Sequence, residues 1–243
     1  MAAVQLFVTC LVDGFAPEVG RATVRVLERA GCEVAFPEKQ TCCGQPAFNA
    51  GYGDEAGRMA AATVQLLDRT EGPIVLPSGS CADMLVHHAP ELLAGTALDH
   101  ASRRVAARVR ELTQYLVDDL GIDDLGVSHP FTAVYHPSCH GLRNLGLRAQ
   151  AETLLDAVDG LERLIPDEAE QCCGFGGLFA IEMPDVSAEI LRIKLDQLEA
   201  TGAEVVVGGD LSCLLHIEGG LRRRNARLQV RHIAQILEGP DPS

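Results

Sequence analysis

Residues 40–47 read Gln40-Thr41-Cys42-Cys43-Gly44-Gln45-Pro46-Ala47, and residues 171–177 read Gln171-Cys172-Cys173-Gly174-Phe175-Gly176-Gly177. Each Cys-Cys-Gly stands between two outer cysteines, Cys10 and Cys81 in the first case, Cys139 and Cys213 in the second. Corresponding cysteines lie 129 to 132 residues apart, and eight of the nine cysteines fall into this scheme. The ninth, Cys32, faces Leu161-Glu162 in the second copy and reads as a buried structural thiol.

The repeat extends beyond the thiols. Val4-Gln5-Leu6-Phe7-Val8 is a β-rich run ending near Cys10, and Phe131-Thr132-Ala133-Val134-Tyr135 ends near Cys139. A helical pattern follows each: Pro17 to Ala30, stopped by Gly31, and Ala149 to Val158, stopped by Gly160. After each Cys-Cys-Gly comes a second helix, with Asp54 or Asp185 as its expected cap. The strands Pro73-Ile74-Val75-Leu76 and Glu204-Val205-Val206-Val207 then deliver the last cysteine of each copy. Val109 to Leu116 and Val230 to Leu237 match as closing segments. Strands alternating with helices are the signature of βαβ units. The expectation is an α/β fold of two pseudo-repeated domains, residues 1–128 and 129–243, divided within Gly121 to Pro130. Each is a small, mainly parallel sheet flanked by helices. Functional loops in such sheets gather beyond the carboxyl ends of the strands, so metal sites are expected at those edges.

Vicinal cysteines on a regular strand point to opposite faces. Both sulfurs reach one site only if the backbone turns, and the glycine that follows permits the positive φ this needs. Thiolates are soft ligands suited to iron–sulfur clusters, zinc or copper(I). Four per copy, Cys10, Cys42, Cys43 and Cys81 or Cys139, Cys172, Cys173 and Cys213, suffice for one [4Fe–4S] cluster and equally for one tetrahedral zinc.

With 243 residues, 47% of them hydrophobic, the chain has ample core. A formal charge of −14 argues against nucleic acid or an anionic membrane as partner. No signal peptide and no run of roughly 20 apolar residues is visible, so the expected place is the cytoplasm, not within a membrane. In that reducing compartment cysteines read as metal ligands or catalysts before disulfides. No dinucleotide fingerprint, phosphate-binding Walker loop or nucleophile–base constellation stands out.

The repeated motif with its outer cysteines resembles the cysteine-rich (CCG) domain family, which includes the cysteine-rich component of heterodisulfide reductase and the iron–sulfur subunit of glycolate oxidase. The stretch Phe7-Val8-Thr9-Cys10-Leu11-Val12-Asp13, with Pro17-Glu18-Val19-Gly20 and both Cys-Cys-Gly segments, is most similar to its lactate-utilisation branch. The resemblance implies iron–sulfur electron transfer in a complex oxidising L-lactate to pyruvate, with two partner proteins, at least one of them iron–sulfur-bearing. It implies one or two clusters per chain, with zinc in one half as a variant. In the heterodisulfide reductase branch each repeat ends in Cys-x-x-Cys, and a noncubane cluster uses five cysteines. Here Ser78 and Asp210 replace the first of those cysteines, which favours four-thiolate sites with Ser78 or Asp210 as an oxygen ligand.

His136 and His140 bracket Cys139, and His216 follows Cys213 by three residues, so each could ligate, donate to a cluster sulfur or carry a proton. Arg143 and Asn144 could hold a carboxylate, although a surface salt bridge is the commoner fate of such an arginine. His87-His88 read as a helix end at the surface. Two other functional classes stay open: a zinc-stabilised assembly subunit without redox role, and a thiol–disulfide redox enzyme of the heterodisulfide reductase kind.

Overall fold

Short runs of β-branched and other apolar residues, buried on both faces, are what central parallel strands require. In the computed structural model, which describes residues 3–239, β1 (Val4–Leu6), β2 (Val34–Ala35), β3 (Ile74–Leu76) and β4 (Val109–Glu111) form one parallel sheet in the order β2-β1-β3-β4. β5 (Thr132–His136), β6 (Glu162–Leu164), β7 (Val205–Gly208) and β8 (Gln229–His232) form a second in the order β6-β5-β7-β8. Every pairing is parallel, and the register repeats: Leu6 faces Val75 as Tyr135 faces Val207. The α/β architecture is the one expected. Residues 121–130 between the sheets hold no helix or strand, only a bridge from Ser128 to Asp159. The outer limits of the expected domains, 1 and 243, lie outside the described residues.

The two halves share a core. Val4 and Val75 from the first sheet join Ala133, Val205 and Val207 from the second in one buried cluster, with Val26 and Leu27 of the helix Pro17–Arg29 and Ile233 and Ile236 of the helix Ile233–Leu237. Arg25 and Arg29 reinforce that junction, Arg25 by an ion pair with Glu238 and Arg29 by donating to its carbonyl at 3.0 Å. The far face of each sheet has its own cluster. Cys43 and Cys81 pack in the first of these, Cys173 and Cys213 in the second.

The helices differ from expectation in detail. A helix begins at the first cysteine itself, Cys10–Phe15, with Thr9 Oγ1 accepting from the Val12 amide at 3.4 Å. Asp13 lies in its first turn. Asp54 and Asp185 are likewise first-turn residues of Gly53–Leu67 and Pro184–Ala200, where they favour the helix dipole; the cap positions are Tyr52 and Met183. Pro184, with its φ preset for a first turn, fixes the second start one residue earlier. His87 and His88 do not end a helix: the chain widens into a π-turn over Met84–His88 and continues helically as Ala89–Leu92. No helix among the described residues is long and apolar enough to cross a membrane.

At the end of β4 the buried Glu111 caps the following helix, accepting from the Thr113 amide at 2.7 Å and the Gln114 amide at 3.3 Å. Burial pushes its carboxyl up to about 7 from a usual 4.5. Below the usual value both folded and unfolded chains hold the proton. Between the two values only the folded chain does, so this part of the stability is lost as pH rises through the folded value. Glu111→Gln is expected to remove a slope worth roughly 3 kcal/mol at most. Urea unfolding of wild type and variant across that interval checks it: parallel pH profiles would show that Glu111 ionises freely.

Candidate metal centres

In each sheet the strand order reverses direction between the first and third strands in sequence, which opens a crevice at their carboxyl ends. Cys10 follows β1 and Cys81 follows β3, on either side of that crevice; Cys139 and Cys213 follow β5 and β7 in the same way. Cys81 lies in the helix Gly79–Asp83, capped by Ser78, and Cys213 in Leu211–Arg224, which begins after Asp210. The Cys-Cys-Gly loops come from beyond β2 and β6 and turn inward. Gly44 and Gly174 have φ of +96° and +87°, the left-handed conformation that the vicinal pair needs. Space forbids a side chain at the second turn, since a Cβ on Gly174 would meet the Ser187 carbonyl oxygen at 2.7 Å.

The eight sulfurs gather as two quartets. In the first, Cys43 Sγ lies 3.2 Å from Cys81 Sγ, and Cys42 takes hydrogen bonds from Cys10 and Cys43. These bonds bring the Cys42 thiol down to about 3 and push its donors Cys10 and Cys43 well up. In the second, hydrogen bonds from Cys139 and Cys173 bring Cys172 down to about 2 and raise both donors, while the Gly174 amide donates to Cys172 Sγ at 3.3 Å. Cys173 also hydrogen-bonds Cys213. Each quartet thus holds one sulfur ready as a thiolate, with others stacked against it in a partly desolvated crevice. A metal that replaced the shared protons would satisfy all four.

Iron–sulfur and zinc groups, implied by the resemblance, fit these residues. The donors are soft, they converge, and each loop supplies a glycine for close approach. The second quartet adds a nitrogen. His136, buried at the end of β5, has neither ring nitrogen hydrogen-bonded, and it comes with Cys173 and Cys213 within 4.8 Å of mutual contact. Burial, with Lys194 beside it, pushes His136 down to about 3, so its ring is neutral and can act as a ligand.

The remaining candidates are placed around these centres. Ser78 and Asp210 pair across the halves in an antiparallel bridge. Asp210 accepts from the Ser80 amide at 2.8 Å, from Ser80 Oγ at 3.1 Å and from Ser212 Oγ at 2.8 Å. Its carboxylate therefore joins the starts of the two helices that carry Cys81 and Cys213. A cavity of about 220 Å³ at the first quartet and one of about 80 Å³ at the second share Gln45, Ser80, Phe175, Gly177, Asp210 and Ser212 as walls. The two centres are neighbours. His216 reaches Ser187 Oγ at 3.3 Å, and Ser187 in turn donates to the Gly174 carbonyl at 2.8 Å, so it braces the second loop. His140 lies 3.3 Å from Gln45 Nε2 and 3.7 Å from the buried Asp83. Asn144 is taken by the same Asp83, at 2.7 Å, and Arg143 lines an open cleft beside Cys172. His87 also bonds Asp83, at 2.8 Å. Cys32, expected as a buried structural thiol, packs against the shared core but is only half-buried.

Two residues escaped the reading of the sequence. Asp83, which ties His87, His140 and Asn144 together, looked like an ordinary helix residue. Lys194 is fully buried behind the second quartet. Its position on the face that also carries Leu191, Leu195 and Leu198 was the available signal.

The model of the CCG cysteine-rich domain family matches residues 4–86 and again 133–218, and the chain belongs to that family. Within it, the chain is 44% identical to Lactate utilization protein A of an Exiguobacterium species, across 98% of this chain and 97% of that protein. It is 42% identical to Lactate utilization protein A of Shouchella clausii, across 98% and 99%. Among solved structures, an aspartate racemase homologue from Pyrococcus horikoshii covers 98% of this chain and 96% of its own at a TM-score of 0.34 and 17% identity, too distant to inform the site.

Gly174→Ala combines backbone strain with a collision, whereas Gly202, at φ +71°, has open space around its Cβ position. Gly174→Ala is expected to cost about 1–3 kcal/mol more than Gly202→Ala. Thermal unfolding of the two variants decides it; equal losses would mean that the second loop tolerates a side chain.

Proposed function

We propose that this chain is the iron–sulfur electron-transfer subunit of a cytoplasmic complex that oxidises L-lactate to pyruvate. The observation that carries the reading is the convergence of two sulfur quartets at adjoining strand-end crevices. The similarity to proteins named for lactate utilisation supports the substrate. Cys10, Cys42, Cys43 and Cys81 hold one [4Fe–4S] cluster and Cys139, Cys172, Cys173 and Cys213 the other. Such a cluster takes up and releases single electrons.

The chain's own residues do the rest. The strand-end crevices fix the outer cysteines, and the glycine turns aim the vicinal pairs. Asp210, through Ser80 and Ser212, keeps the starts of the two cysteine-bearing helices in register, so that an electron has a short protein path between the centres. Lactate gives up a hydride equivalent, which needs a two-electron centre. The reading therefore assigns that step to one of two partner proteins, at least one of them iron–sulfur-bearing, with this chain collecting electrons from it.

A second reading has its own observation. His136 with Cys173 and Cys213 is a nitrogen–sulfur donor set of the kind zinc takes in structural sites. In that case the second half holds zinc and serves the assembly, and only the first half carries electrons.

Anaerobically purified protein is expected to be brown and to contain iron and acid-labile sulfide. Cys43→Ser and Cys173→Ser are each expected to lose about half of that iron. EPR after adding lactate together with the partner proteins should show reduction that neither addition gives alone. Colourless protein with zinc in both halves would sink the electron-transfer role.

A further inference from the structure

The two halves match in their cysteines but not in what stands behind them. The shared strand register and glycine contacts fix the equivalences. Phe7, the residue after β1, corresponds to His136 at the end of β5, since Leu6 and Tyr135 hold equivalent register positions. Gly44 packs on Ala56 and Met59 where Gly174 packs on Ser187 and Ile190, which sets Ala56 against Ser187 and, two turns further along the same helices, Thr63 against Lys194. The cysteine offset likewise sets Met84 against His216. The first quartet is therefore backed by Phe7, Ala56, Thr63 and Met84, all fully or almost fully buried and none able to carry charge. The second is backed by His136, Ser187, Lys194 and His216.

Lys194 is the decisive member. Its side chain is buried, and Nζ donates to the Ala169 carbonyl at 3.2 Å. Burial lowers its pKa to about 8, and the charges that oppose this lowering are those of Cys173, Cys213, Cys172 and Cys139. The four sulfurs of the second quartet are thus the groups whose negative charge, once all are ionised, would favour an ammonium in this place; Nζ has the Ala169 carbonyl and no carboxylate as its hydrogen-bond partner among the described residues. A buried charge is tolerated only when it is compensated, so an anionic group on these four sulfurs and a protonated Lys194 stabilise each other. The first quartet has no such cation: the place of Lys194 is held by Thr63, whose hydroxyl donates to the Cys42 carbonyl at 3.5 Å.

We infer that Lys194 makes the second quartet the higher-potential of the two centres, so that an electron shared by the chain comes to rest on the Cys139, Cys172, Cys173 and Cys213 side. This deepens the electron-transfer reading above and rests on it. Adding an electron makes a thiolate-bound iron–sulfur group more negative, and a fixed positive charge nearby lowers the energy of that reduced form. In the internal transfer the group on the first quartet is oxidised by one electron and the group on the second is reduced by one; no bond is made or broken and no proton moves. Electrons then enter through the first half, whose Cys10 is exposed, and leave through the second. Lys194 is a tuning residue, not a ligand.

The test is an EPR-monitored redox titration of the anaerobic holoprotein with dithionite and ferricyanide, after iron, sulfide and zinc analysis. Cys81→Ser and Cys213→Ser assign the signals to the two halves. The wild type is expected to show two potentials, the higher one lost in Cys213→Ser. Lys194→Met, or Lys194→Gln should the first not fold, is expected to lower the reduced-to-oxidised ratio of the second half about tenfold at fixed potential. That is a downward shift of about 59 mV for one electron. Lys194→Arg should keep the wild-type value, and the first half should not respond to any of them. Coincident potentials, a higher potential in the first half, or an unmoved second half in Lys194→Met overturn the inference while leaving the electron-transfer reading in place. So does zinc in the second half with iron in the first. Absence of iron from both halves overturns the reading itself.

Discussion

Two neighbouring cysteines can serve one centre only where the backbone turns straight after them, and that requirement propagates through the structure. Gly44 and Gly174 supply the turn by adopting a conformation that costs other residues strain. The turn directs each vicinal pair back over the carboxyl ends of the strands, where the outer cysteines already stand. Parallel pairing is what brings those outer cysteines together, because it places the ends of β1 and β3, and of β5 and β7, side by side. The helices after the loops are equally constrained. Ala56 and Ser187 lie so close to the glycines that the helix positions and the loop conformations determine one another.

The same geometry explains what could be read from the sequence. Thiol spacing, strand composition and the glycine after each pair are local signals, and they led to the parallel sheets and to the gathering of eight cysteines. Side chains whose roles depend on the opposite half were not legible. Asp210 and Ser78 stand where a related branch has cysteine, so they read as oxygen ligands. The structure engages Asp210 with Ser80 across the junction, a contact between residues 130 positions apart that no local pattern encodes, and with Ser212 beside it. His232, for which the sequence suggested no role, is the buried cap of the closing helix and takes the place that Glu111 has in the first half. Helix caps at Asp54 and Asp185 were misplaced by a residue or two because proline and glycine, not an acidic side chain, set those starts.

Duplication gives a symmetric frame, and function can then enter through the substitutions that break the symmetry. A buried lysine is unfavourable in an apolar core by several kcal/mol unless something compensates it. The second half retains one at a position where the first half has a threonine, within the electrostatic reach of the second quartet. Packing does not require it, since Thr63 fills the corresponding place, buried and with its hydroxyl on the Cys42 carbonyl, without leaving a charge to be balanced. The lysine becomes intelligible once the sulfurs carry a lasting negative charge, as they do when they hold metal. On the proposed reading, a metal group on the second quartet and a charged Lys194 would each lower the cost of burying the other, and the lysine would do so without binding the metal.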